Sequence, residues 1–441
     1  METATASRYT AEYQSISEVL PGQSVPWLKQ LRAKALTRFS EHGFPSLREE
    51  EWRYTNVSGI EKKLFTPTAG LATTPKIDSD WLATYRLQDV WSVVLVNGHF
   101  AAELSNLDGL PETVSIKGLA KALQDDPNQV ESFLAQAVSD DEHSFVAFNT
   151  AWFTDGLFVR IAAKQVLAKP IQLLHLVTEA DRLATTRNII VADDMAQAQV
   201  IETFAGVAES YLSAGVTEVF VGRNADISLY KVQCEAERAY HFGGTYVKQA
   251  RDARFSHHNF AFGGMLARTD IHSDLDDASE CYLNGLYLGI KRQHMDNHTR
   301  INHLKPHAIS REMYKGVLDD RARGVFQGRV VVAEGALKTD SEMNNRNLLL
   351  SNDAEADTKP QLEIYADDVK CAHGVTVGQL NEKSVFYLQS RCVDQETARN
   401  MLTFAFANEM VDKVKIRSLH DLVLGQLLMR FPQEGVSKEW L

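Results

Sequence analysis

Cysteine is scarce: Cys234, Cys281, Cys371 and Cys392 are the only four in 441 residues. No two form a CxxC pair, which excludes a zinc ribbon or a thioredoxin-type site by spacing. In a reducing compartment such scattered cysteines are expected to be buried thiols or ligands, not disulfides. The chain also lacks any Gly-Lys dipeptide, and so has no P-loop, and no GxGxxG follows a strand. Any ATP in this system must therefore be bound by a partner. HExxH and GxSxG are absent too, which removes the commonest zinc peptidase and α/β-hydrolase signatures. Asp276-Asp277 and Asp319-Asp320 sit in turn-like contexts, and no acid/base pair suited to hydrolysis stands out.

Apolar runs such as Val93–Val96 are far shorter than the ~20 residues needed to cross a bilayer. The stretch Met1 to Glu12 is polar, without the basic start and apolar core of a signal peptide. A cytoplasmic protein with no membrane partner is expected. No dense Lys/Arg run offsets the formal net charge of -12, so phosphate backbones are repelled and nucleic acid is set aside as a partner.

What is present divides by texture. Residues 1–150 read as an α-rich domain: Trp27, Leu28, Leu31, Ala35, Leu36 and Phe39 recur at helical spacing until Gly43 and Pro45 stop the run. Further helices are expected over Leu119–Leu123 and around Val130–Ala137, and a strand at Val93–Val96 closed by Asn97-Gly98. Residues 151–388 change character. Short runs rich in β-branched and aromatic residues alternate with Gly, Asn and Asp, among them Ile171–Val177, Ile227–Val232, Phe255–Phe262, Tyr282–Ile290, Gly324–Val332, Leu362–Tyr365 and Val369–Val377. Ten or more closely spaced short strands suggest a sandwich, a propeller or a solenoid, among which periodicity does not choose.

Helix returns in 389–441. Asp394 is the expected N-cap of a helix with Ala398, Met401, Leu402, Ala405 and Phe406 on one face, and a second helix carries Leu419, Leu422, Val423 and Leu427. Pattern alone leaves two readings: a docking module, or a packed end-cap of the strand region.

Two clusters carry chemical content. In Val369-Lys370-Cys371-Ala372-His373-Gly374-Val375-Thr376-Val377, strand alternation puts Cys371 and His373 on one face with three valines, which predicts that this face is buried. Thiolate and imidazole suit iron, iron–sulfur species or zinc; a small buried cysteine beside a hydrogen-bonded histidine is the plainer alternative. The second cluster is His294, His298, His303 and His307. On a strand His294, Asp296 and His298 share one face and Ile301 and His303 the other, so a hydrogen-bonded stack is expected over a metal site. His257 and His258 point to opposite faces.

Lys359-Pro360-Gln361-Leu362-Glu363-Ile364, then Asp367-Asp368-Val369-Lys370-Cys371 and His373-Gly374, resemble the signature of the SufB/SufD family of iron–sulfur cluster assembly scaffolds. Arg323-Gly324-Val325-Phe326-Gln327-Gly328, Asn347-Leu348-Leu349-Leu350-Ser351, Phe386-Tyr387-Leu388 and Glu51-Trp52-Arg53-Tyr54-Thr55 support it, from about residue 40 to 410. The family's usual Cys-Ser-His-Gly-Ala reads Cys371-Ala372-His373-Gly374-Val375 here, which keeps both polar side chains. The N-terminal cysteine cluster of many SufB-type subunits is absent, which favours the SufD type.

The resemblance implies a mainly β chain: a right-handed parallel β-helix core between N-terminal and C-terminal helical domains. It implies a non-catalytic scaffold that pairs with a SufB-type subunit through the β-helices, with an ABC-type ATPase, SufC, on the C-terminal helices. Whether a homodimer forms where SufB is absent is left open by the sequence. The nascent cluster would form at the SufB–SufD interface, which makes His373 and Cys371 the expected assembly residues. No permanently bound cofactor is implied, only a transient iron or iron–sulfur cluster. Met401, Leu402, Phe406, Leu419 and Leu422 are the expected docking residues for the ATPase.

Overall fold

A computed structural model describes residues 4–67, 75–138 and 144–431, so positions 1–3 of the polar N-terminal stretch and 432–441 of the expected C-terminal segment lie outside the described residues. From Leu157 to Gly378 the chain winds into a parallel β-solenoid of about eight turns. Each coil contributes one strand to either of two sheets. Coil 1 consists of Leu157–Ile161 and Ile171–Val177, coil 2 of Arg182–Ala192 and Gln197–Gly206, and coil 3 of Leu212–Val221 and Asp226–Cys234. Coil 4 is Tyr240–Gln249 with Arg254–Ala261, coil 5 Leu266–Leu275 with Glu280–Gly289, and coil 6 His294–His303 with Ile309–Leu318. Arg323–Val332 and Asp340–Leu349 form coil 7; Glu355–Ile364 and Lys370–Gly378 form coil 8.

The corners explain how so many strands fit so little connecting chain. Met195, Asn224, Asp252, Ala278, His307, Lys338 and Asp368 all adopt the left-handed conformation, each two residues before a strand begins. One such residue reverses the chain in a few positions, and Asn and Asp tolerate it best among non-glycine residues. Only three of these corners are spelled with Asn or Asp, so the sequence announces fewer coils than it makes. The strands Gln197–Gly206, Leu266–Leu275, Ile309–Leu318 and Asp340–Leu349 were not among the expected runs.

Within each strand alternate side chains enter the solenoid, where Val200, Ile227, Leu229, Phe255, Leu283, Ile301, Phe326 and Val330 belong to one continuous core. The outer faces are covered unevenly. The N-terminal region lies against the sheet that contains Phe242, and Trp52, Phe145 and Phe242 stack there. It also extends both sheets: Trp91–Val96 runs parallel to Ile171–Val177, and Val114–Gly118 antiparallel to Leu157–Ile161. The helix expected around Val130–Ala137 is instead a single turn at Pro127–Glu131. Ala135 then turns left-handed, and the N–H groups of Ala135 and Ala137 donate to Glu218.

Three C-terminal helices, Glu382–Gln389, Gln395–Val411 and Arg417–Arg430, begin at Asn381, whose side chain caps Lys383 N–H. Phe404, Ala407, Met410, Val411, Leu419, Val423 and Leu427 pack on Tyr230, Val232, Phe260, Leu286, Val317 and Leu348 of the other sheet's outer face. Lys315 is buried in this contact and donates to Phe406 O and Glu409. The helices therefore lie along the solenoid's side, not over its end.

Candidate site at the open end of the solenoid

The solenoid stops abruptly. Among the described residues, strand Lys370–Gly378 pairs only with Asp340–Leu349, and Glu355–Ile364 only with Arg323–Val332, so both last strands present an edge unpaired by any of them. Pro360 sits in one of them, a residue without an N–H that sheets accept at edges.

Register fixes which side chains face inward. Ser341, Met343, Asn345 and Asn347 in coil 7 are partners of Cys371, His373, Val375 and Val377 in coil 8. Met343 is 1% exposed within the core, yet Val377 is 45% exposed and His373 is open to solvent. Cys371 and His373 do share the valines' face, as alternation requires. That face is not buried, because no ninth coil covers it among the described residues. On the facing strand Thr358, Pro360, Leu362 and Ile364 complete the inner lining, the first three partly buried and Ile364 exposed, by register with the inward Phe326, Gly328, Val330 and Val332. Ile364, Tyr365 and Val375 are exposed, and Phe386 and Tyr387 follow on the first C-terminal helix, Phe386 at 71%.

Cys371 is half-buried and packs on the core rim with Val369. Partial burial pushes its thiol up, the Asp340 carboxylate adds to this, and the Ser341 backbone N–H opposes it. Cys281 is buried and Cys234 lies under the C-terminal helices; burial pushes both thiols up to about 12. They are inert by these criteria. Cys392 is exposed, two positions before the N-cap Asp394.

The second histidine cluster serves packing. His294, Asp296 and His298 face outward beneath the N-terminal domain, and Thr55 donates to Asp296 at 2.6 Å and meets His294 Nε2 at 2.9 Å. Arg268 completes the network, 3.2 Å from Asp296 and 2.9 Å from Asp270. His298 Nε2 lies 3.0 Å from Asp296. His303 faces the interior, and His307 is an exposed corner. Among the described residues no group of three or more His, Cys, Asp or Glu side chains is arranged to hold a metal ion. Cys371 and His373 supply two donors, too few by themselves for a four-coordinate iron or a cluster.

Of the expected docking residues, Met401 and Leu402 are partly exposed and lie outside the core of this helical layer. Phe406 is half-buried beneath Lys315, 4.4 Å from its ring centre, and Leu422 is partly buried. Leu419 is fully buried. It belongs to the packing face and offers no surface, contrary to the sequence expectation, because the second helix turns that stripe towards Tyr230 and Leu286.

Compared with known families, residues 175–406 match the model described as SUF system FeS cluster assembly, SufBD core domain, and residues 3–173 match the SufBD protein N-terminal region. The chain belongs to the SufB/SufD family. It is 33% identical over 404 residues to the iron–sulfur cluster assembly protein SufD of Escherichia coli, covering 88% of this chain and 90% of that one. An iron–sulfur cluster assembly SufBD family protein of Synechocystis is 30% identical over 389 residues, 85% of each chain. The SufD protein of Bacillus subtilis is 24% identical over 414 residues, 90% of this chain and 92% of that one. Family membership supports a role in iron–sulfur cluster assembly and identifies a SufD-type member. No helix among the described residues is long and apolar enough to cross a membrane.

Proposed function

We propose that this chain is a non-catalytic, cytoplasmic scaffold subunit whose uncapped solenoid end builds iron–sulfur clusters together with a SufB-type chain. The observation that carries the reading is the open inner face of coil 8, where Cys371 and His373 stand beside exposed Val375, Val377 and Ile364. Two unpaired strand edges invite continuation of both sheets by a second molecule, since backbone N–H and C=O groups there lack partners. The apolar lining gains about 25 cal/mol per Å² when it is covered. Two donors on this side and further ligands on the other would enclose iron and sulfide at the joint, and release the product when the joint opens. Such chelation needs no general acid or base.

The C-terminal helices are the proposed seat of an ABC-type ATPase of the SufC kind, with Met401, Leu402, Phe406 and Leu422 as the contact residues. ATP-driven closure of two ATPase copies would then strain the joint between the two scaffold chains.

The test is the iron and acid-labile sulfide content of the complex co-expressed with its SufB-type and SufC-type partners and purified without oxygen. His373→Ala is expected to leave assembly of the complex intact and to collapse cluster content. Unchanged content in an intact complex would remove His373 from the site and leave this subunit as a mechanical support.

A further inference from the structure

The outward row beneath the C-terminal helices reads Val232, Phe260, Leu286, Lys315 and Arg346, each the register partner of the next. Three apolar side chains are thus followed by a lysine that is only 2% exposed. Its Nζ lies 2.8 Å from Phe406 O and 2.5 Å from a Glu409 carboxylate oxygen, both on helix Gln395–Val411. It also lies 4.4 Å from the centre of the Phe406 ring. A carbonyl oxygen has two lone pairs, so Phe406 O can accept from Lys315 without giving up its place in the helix. Phe404, Ala407, Met410 and Val411 of the same helix pack on the sheet through apolar area, which is non-directional and resists separation better than sliding. The layer's other polar fasteners start from partly exposed side chains: Arg399 donates to Leu350 O, Ser418 to Gln88 O and Arg430 to Phe262 O.

We propose that Lys315 pins the register of helix Gln395–Val411 on the solenoid, and is the positioning residue through which an ATPase seated on that helix acts on the open end. This rests on the reading of the C-terminal helices as the ATPase seat. Phe406 belongs to both sides of the pin: it is a proposed ATPase contact, and its carbonyl and ring hold the ammonium. The strand that carries Lys315, Ile309–Leu318, is laddered to Asp340–Leu349, which is laddered to the last strand, Lys370–Gly378. The pin therefore stands two strand spacings, about 10 Å, from the open edge. A second route from helix to edge runs through the short helix Glu382–Gln389, but Val385 is its one buried residue, and Phe386 and Tyr387 are exposed. A displacement of helix Gln395–Val411 thus enters the sheet at Lys315. Without the ammonium the helix is free to slip over the apolar row. Burying a charge carries a desolvation cost that an apolar residue at this position would not, so the ammonium supplies direction where the packing supplies cohesion.

The measurement is deuterium uptake by the peptide covering 370–378 in the purified complex with both partners, with and without a non-hydrolysable ATP analogue. The readout is the ratio of the two exchange rates. In the parent that ratio is expected above one, since closure of the ATPase strains the edge. Lys315→Met keeps the stem and loses the ammonium, and its ratio should fall towards one by about threefold or more, the size of effect a single coupling residue commands. Glu409→Ala, at an exposed position, should lower the ratio less, because Phe406 O still accepts from Lys315. A lysine that only held the fold together would raise exchange with and without nucleotide alike and leave the ratio unmoved. If the Lys315→Met complex does not assemble, the Glu409→Ala arm decides alone. The parent's ratio recurring in the assembled variants would overturn the proposal, and so would a ratio of one in the parent. The ATPase seat fails separately, by copurification that survives Met401→Asp with Leu402→Asp.

Discussion

The guanidinium of Arg268 lies 3.6 Å above the ring of Trp52, with Asp270 and Asp296 on its remaining sides. The sequence element Glu51-Trp52-Arg53-Tyr54-Thr55 is therefore the strap by which the N-terminal domain holds the solenoid. Glu51 O accepts from Arg268, Thr55 reaches Asp296, and Glu50 pairs with Lys359 of the last coil.

Trp52→Ala is expected to cost roughly 3–5 kcal/mol, since it removes a fully buried indole and a cation–π partner together. Urea unfolding followed by two probes, one in each region, is the check. The N-terminal region should release first. Coincident transitions with an unshifted midpoint would contradict the strap.

Glu312 sets a dependence on pH. It faces the interior, 3% exposed, and burial pushes its pKa up to about 8, with the neighbouring Thr299 side chain pulling the other way. A carboxyl raised in the folded state stabilises the fold below its unfolded value, near 4 to 5, and that contribution is lost as pH rises towards 8. Glu312→Gln should thus gain on the parent progressively between pH 5 and 8.5 in thermal melts. Parallel profiles would show that Glu312 is paired in solution.

The C-terminal helices offer a separation of packing from docking. Leu419→Ala is expected to lower stability by about 2–5 kcal/mol through the cavity it leaves. Met401→Asp with Leu402→Asp should leave the melting temperature nearly unchanged and weaken copurification of the ATPase. If the Leu419 variant alone lost the ATPase without melting earlier, the assignment of the two faces would be reversed.

The strand texture and the shared face of Cys371 and His373 were legible in the sequence. Where the stack ends was not. Val375 and Val377 look like core residues because alternation reports which face a side chain takes, not whether another coil lies beyond it. Several strands were passed over for a related reason: Met195, Ala278, His307 and Lys338 turn corners without a turn-like identity. The polar strands His294–His303 and Asp340–Leu349 carry inward Asn and Ser that a solenoid interior can satisfy between coils, so hydrophobic periodicity passes over them. Pro360 was a signal of the edge, readable once the strand around it was known.

The C-terminal helices grip apolar residues from Ile201 in coil 2 to Leu348 in coil 7. They are thus fastened along nearly the whole rod, which spans about 34 Å at roughly 4.8 Å per coil. Close-packed, ladder-bonded sheets of this kind resist bending. Under the proposed assembly role, a torque applied at the helices would therefore reach the far tip as rotation of the entire rod, and the solenoid would work as a crankshaft turning Cys371 and His373.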